Sequence, residues 1–257
     1  MSRFFNLEFD GASEDLSSQK APVKDEGYYL GEAQGAFANG AFESALRLYS
    51  KVLEFNPQNA TAWAGQVRML IELGEIREAR LWAEKALERF PREAELLAAK
   101  AVALARDGDV REALALSDAS IQERGETPYV WLARADVLLA HAERRADYCF
   151  DKALLLAPRD WFVSWLAARV RFYYRQFALA LKLIEQALGW NSTHFLLWLE
   201  LGRCQKALGL VGSARESLRQ AGQLNPQCRE VGMELAKLSE TGLWPRMRGW
   251  WHRAFHS

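Results

Sequence analysis

The sequence has little of what catalysis and metal binding usually require. Its 257 residues include four histidines and three cysteines. Cys149, Cys204 and Cys228 stand far apart, with no CxxC and no metal-ligand spacing, and read as reduced thiols on helices in a reducing compartment. No Walker loop, dinucleotide-binding glycine fingerprint, nucleophile elbow or kinase signature occurs. His252 and His256 lie four apart, but no third ligand and no HExxH glutamate accompany them. The sequence therefore proposes no catalytic residue, no metal and no cofactor, and a chain that is not an enzyme.

An excess of one charge is also missing. The 33 basic and 33 acidic residues cancel, which argues against a general nucleic-acid binder, whose phosphate contacts need a basic surplus. The signs are unevenly placed: residues 1–26 carry three basic and six acidic groups, whereas 242–257 carry positive ones only. No apolar run approaches the roughly 20 residues of a membrane span. The start, "MSRFFNLEFDGASEDL", interrupts its apolar residues with Asn6, Glu8 and Asp10 and so is not a signal peptide. The expected location is the cytoplasm.

What the chain does have is a repeat. With seven prolines and no long β-branched alternation, helices are the expected element. "AWAGQVRMLIELGEIREARLWAEKALERFP" (62–91) and "LWLELGRCQKALGLVGSARESLRQAGQLNP" (197–226) share their marks. Trp63, Gly74, Ala79, Ala86 and Pro91 in one correspond to Trp198, Gly209, Ala214, Ala221 and Pro226 in the other. Glycine permits the left-handed backbone that ends a helix, alanine lets two helices approach, and proline stops the second helix.

A 34-residue period with these marks resembles the tetratricopeptide repeat (TPR). A first unit fits through Gly40, Phe42, Ala45, Tyr49 and Pro57, and a third through Gly108, Ala113 and Ser120. A fourth is aberrant: it has His141 or Ala140 where the turn glycine belongs and ends one residue early, which predicts a changed helix angle. A fifth has Arg175 at the turn and Ser192 in place of the final proline. The expectation is all-α: a right-handed superhelical solenoid of about six units over 27–228 and about thirteen helices in all. A capping helix over 229–242 would present Val231, Met233, Leu235 and Leu238 inward. Residues 1–26 would form a flexible leading segment.

The resemblance implies a concave wall built from the first helix of each unit, binding a peptide or partner helix. By register that wall holds Arg68 in unit two, Tyr129 and Asp136 in unit four, Phe162, Trp165, Arg169, Phe172 and Tyr173 in unit five, and Leu199, Arg203 and Lys206 in unit six. Aromatics with arginines suit recognition; the alternative is that Trp165, Phe172 and Tyr173 pack between units. "WFVSWLAARVRFYYRQF" is apolar on more than one face and must hide its second face against a ligand or a terminal segment of the chain. The Lys and Asn clamp with which some family members hold a C-terminal carboxylate is missing, since Leu30, Gln34 and Gly65 stand there. Arg169 and Arg203 remain as candidates to pair with an acidic ligand.

Both ends carry candidate docking segments. Phe5, Leu7 and Phe9 alternate with Asn6 and Glu8, giving an extended segment one apolar face, for a partner, for the chain's own groove or as a cap. After Trp244 and Pro245, Met247, Trp250, Trp251 and Phe255 share one helical face opposite Arg246, Arg248 and Arg253. That amphipathic helix over 243–257 is a second cap, a partner anchor or a membrane foot. The favoured function is an adaptor or scaffold in a cytoplasmic assembly. The alternative is a peripheral membrane recruiter, and self-association through the acidic head and basic tail is a further possibility.

Overall fold

A computed structural model describes residues 24–239, all of them helical or in short connections. Twelve helices alternate: α1 (Glu26–Ala38), α2 (Phe42–Phe55), α3 (Ala60–Leu73), α4 (Ile76–Arg89), α5 (Ala94–Asp107), α6 (Val110–Arg124), α7 (Pro128–Ala140), α8 (Ala146–Leu156), α9 (Trp161–Tyr173), α10 (Phe177–Leu188), α11 (Phe195–Ala207) and α12 (Val211–Leu224). A thirteenth helical run, 229–239, follows. No strand occurs among the described residues. The fold is an all-α helical-repeat solenoid. Phe5, Leu7, Phe9, Trp244, Met247, Trp250, Trp251 and Phe255 lie outside the described residues.

Three of the inner helices, α1, α3 and α9, start where a polar side chain satisfies an exposed backbone donor. Asp25 accepts from the Tyr28 amide at 2.9 Å, Asn59 from Ala62 at 2.8 Å, and Asp160 from Phe162 at 2.8 Å. The six N-cap positions, Asp25, Asn59, Glu93, Thr127, Asp160 and His194, set the register of the inner layer. From α3 onward each odd-numbered helix packs on the next odd-numbered one, forming that layer, and each even-numbered helix lies outside, wedged between two of them. A tryptophan four residues past the N-cap ties three of the joints: Trp63, Trp131 and Trp198 donate their indole N–H to the carbonyls of Pro57, Gly125 and Ser192 at 2.9, 2.6 and 2.7 Å.

Every two-helix turn carries one residue with a left-handed backbone: Gly40, Gly74, Gly108, Ala142, Arg175 and Gly209. The spacing is 34 residues except between Ala142 and Arg175, where it is 33. The turn of unit four is thus centred on Ala142, a correction to the placement at Ala140 or His141. His141 has φ −93° and is an ordinary C-cap. The missing residue comes out of the outer layer: α8 has 11 residues, whereas the inner α7 and α9 keep 13 each.

The core closes the chain on itself. Side chains of the first unit (Ala33, Phe37, Tyr49) belong to the same apolar cluster as Trp165, Leu199 and Leu238. Units two and three fill a separate one around Trp63, Leu96 and Val102. In the run 229–239, Val231 and Leu238 are buried and Leu235 is half-buried, but Met233 is 54% exposed, which corrects its expected inward place.

A left-handed backbone costs a residue with a Cβ about 1–2 kcal/mol relative to glycine. Ala142→Gly and Arg175→Gly should each raise stability by about 1 kcal/mol in thermal or urea unfolding. Gly74→Ala should lower it by a similar amount, because the added Cβ meets no atom within 4 Å and only conformational strain remains.

Candidate functional site

The inner layer brings positions two, five, nine and thirteen past each N-cap to one concave wall. Tyr129 and Phe162 stand at the second position, Trp165 and Leu199 at the fifth, and Arg68, Asp136, Arg169 and Arg203 at the ninth. Trp165 lies one residue beyond the tryptophan of the other joints, where unit five has Ser164, and so turns inward. It is 1% exposed.

The middle of this wall is occupied by the first unit. Phe37 meets Phe162 edge-on with ring centroids 5.1 Å apart, and Phe42 stacks on Trp165 at 6.3 Å. Arg68 lies 5.0 Å from the Phe37 ring and 3.7 Å from that of Tyr129. Gly40 sits so close to α11 that a Cβ there would meet Leu196 at 2.9 Å. The second face of α9 is therefore hidden by the turn of the first repeat. This corrects the expectation of a ligand or terminal segment there; the physical reason is that Phe37 and Phe42 supply the apolar area themselves. At the centre, between Phe37, Ile71, Val102 and Leu166, the remaining space is about 30 Å³, room for about one water.

Charges on the wall pair with each other. Glu72 binds Arg169 at 2.5 Å, and Arg169 lies 3.9 Å from Glu200. Glu200 is 3.5 Å from Arg203, which bonds Glu230 at 2.6 Å. Lys206 reaches Glu234 at 2.5 Å. Arg106 is joined to Asp136 at 2.6 Å, and Tyr174 donates its hydroxyl to the same carboxylate at 2.7 Å. Burial alone would push the Glu72 carboxyl up, but the nearby Arg169, Arg106 and Arg68 outweigh it and hold the value below the ordinary one. Burial and then Asp136 push the Tyr174 phenol up. Arg169 and Arg203 are thus committed within the chain.

The remaining wall residues divide. Leu199 is buried, and Lys206 is half-buried. Phe172 packs on Phe177 at 5.1 Å inside its own unit. Tyr173 is 52% exposed with Arg106 over its ring at 4.1 Å, at a mouth of about 290 Å³ that Gly74 and Ile76 also line. The opposite mouth is a cavity of about 270 Å³ between the first turn (Asn39–Phe42), α9, α11 and the start of the last helical run. It is lined by Phe42, Trp165, Phe195 and Leu199 and edged by Arg169, Arg203 and Arg229 against Glu200 and Glu230.

Sequence reasoning missed Glu72, Arg106, Phe37 and Phe42. Glu72 and Arg106 share the register of Tyr173, thirteen past the N-cap, so the repeat alignment contained them. The roles of Phe37 and Phe42 depend on closure across the superhelix, which no local pattern encodes. Among the described residues no group of three or more His, Cys, Asp or Glu side chains could hold a metal, and no helix is long and apolar enough to cross a membrane.

Known proteins give this architecture its place. The family model described as tetratricopeptide repeat matches residues 36–103 and 173–238, just over half of the chain. The chain belongs to the tetratricopeptide repeat family. It is similar to a TPR protein from Parabacteroides merdae ATCC 43184 at 18% identity and a TM-score of 0.54, covering 86% of this chain and 87% of that one. It is similar to the thermophilic TPR protein TTC0263 of Thermus thermophilus at 20% identity and a TM-score of 0.50, covering 83% and 98%. A third likeness is to the human IFIT1 dimer with PPP-AAAA, at 18% identity and a TM-score of 0.50 over 90% of this chain and 60% of that one. At these identities the likeness is one of fold. No curated protein matches significantly.

The Glu72–Arg169 bond carries a pH dependence. Glu72 has its folded value below the ordinary 4.5, so its contribution is complete above that value and is lost as pH falls through the folded one. Arg169→Ala should lower stability by about 2–3 kcal/mol at pH 7, less than for a fully buried pair because both side chains keep some solvent contact. It should also flatten the fall in stability between about pH 5 and pH 3, measured by urea unfolding across that range.

Proposed function

We propose that the chain is a non-catalytic adaptor that holds a peptide or helical segment of a partner protein at the open mouth formed by units five and six, within a cytoplasmic assembly. The observation that carries this reading is the contrast between the two parts of the concave wall. The middle is filled by the chain's own aromatic rings, whereas the mouth beside Phe195 keeps a cavity of about 270 Å³. An apolar floor with a charged edge is the arrangement that anchors one or two side chains of a linear segment and orients them through hydrogen bonds. Membership of a repeat family built for protein contacts supports the same reading.

A photo-crosslinking side chain placed at Phe195 or Arg229 should capture one short segment of a partner in the native host. The same side chain at Leu81, on the outer helix α4 and 65% exposed, should not. Arg229→Glu should reduce the Phe195 crosslink at least tenfold without changing the unfolding midpoint. Equal capture from Leu81 would place the binding surface on the outer layer and sink the proposal.

A further inference from the structure

Resting on that reading, we infer that the mouth beside units five and six takes an apolar, acidic peptide, and that its resident occupant is the chain's own "FFNLEFD", Phe4–Asp10. The cavity sets the chemistry. Its floor of Phe42, Trp165 and Phe195 calls for apolar or aromatic side chains. At its edge Arg169 and Arg203 are paired with Glu72, Glu200 and Glu230, which leaves Arg229 as the free positive group there among the described residues. Arg229, at the edge, is exposed and has no ion-pair partner among the described residues. The indole N–H of Trp165, though the side chain is buried, has no hydrogen-bond acceptor. A buried donor without a partner costs about 1–3 kcal/mol.

Two segments of the chain are candidates to fill such a site, and charge separates them. Residues 242–257 carry aromatics with positive groups only, and would bring like charge to Arg203 and Arg229. Residues 4–10 carry Phe4, Phe5, Leu7 and Phe9 with Glu8 and Asp10, which matches both the apolar floor and the unpaired Arg229. The chain is long enough. The far end of α1 forms the rim of the cavity through Asn39 and Gly40, and the 13 residues of that helix span about 20 Å. The stretch from Asp10 to Lys24, where the described chain begins, covers up to about 45 Å when extended. Joined to its site by so short a tether, the segment would act at millimolar effective concentration. A partner with similar chemistry must then displace it, which makes Phe4–Asp10 both an internal competitor and a template for the ligand.

The test uses a fluorescent peptide of residues 2–12, the full chain and a chain lacking residues 1–12. Anisotropy should show the peptide binding the shortened chain at least tenfold more tightly than the full chain. Changing Phe5, Leu7 and Phe9 to serine in the peptide should abolish binding, with no question of folding. Arg229→Glu in the shortened chain should weaken it at least fivefold, and a peptide of residues 243–255 should not compete. No binding to the shortened chain, or equal binding to both, overturns the assignment. A full chain that dimerises with concentration in gel filtration, and loses this on removal of residues 1–12, also overturns it, by placing the segment in a second copy. A crosslink from Phe195 to a partner in the chain lacking residues 1–12 does not depend on the segment, so the adaptor reading can stand where this one fails.

Discussion

The contact between the first turn and the fifth inner helix is the constraint on which the rest of the wall depends. Repeat solenoids are ordinarily held by neighbour-to-neighbour contacts alone. Here Phe37 and Phe42 reach across to Phe162 and Trp165, so units far apart in sequence share one apolar cluster. Burying a large aromatic side chain contributes about 1.5–3 kcal/mol. The ion pair beside it, Glu72 with Arg169, contributes less on balance, since two charges must lose water before they gain each other. The rings therefore supply the closure energy, and the pair links unit two to unit five beside them.

Closure also explains the charges. Five groups, Glu72, Arg169, Glu200, Arg203 and Glu230, run in alternating sign along the inner wall. In an open groove they would be solvated and available to a ligand. With Phe37 and Phe42 seated over α9, water is restricted and each charge needs a neighbour within the chain. The arginines that make the wall look like an anion receptor in the sequence are thus used to make closure possible. Among the described residues of this edge, the positive group left unpaired lies where the ladder meets solvent, at Arg229 beside the Arg203–Glu230 pair.

Much of this was legible because the repeat register survives its own defects. Trp63, Trp131 and Trp198 mark equivalent positions, and their indole bonds give those marks a physical cause. The inner helices keep their register across the irregular fourth unit, because the missing residue is taken from α8 and not from an inner helix. Gly65, one of the positions where a carboxylate clamp would need a longer side chain, is glycine because the Tyr49 ring lies where its Cβ would be, at 2.5 Å. Ala142 stands one 34-residue period past Gly108, and its turn is misplaced only when the count runs back across the shortened outer helix. Nothing local foretold Phe37 on Phe162, since a contact over so long a separation depends on the summed rotation of the units between.

Closure decides where a ligand can bind. Reaching the centre of the wall requires lifting the first turn away from α9, which exposes at least two large aromatic side chains and costs about 4 kcal/mol. At 1.4 kcal/mol per tenfold, the open form would be populated at about one part in a thousand. A ligand for the centre would lose the same factor of about a thousand in apparent affinity. A ligand for the mouth beside Phe195 escapes that particular cost, because the cavity exists with the first turn in place. Between two otherwise equal peptides, the one that fits the rim wins by that factor. The closed wall therefore leaves short cavities at its edges, beside Phe195 and beside Tyr173, rather than a long groove.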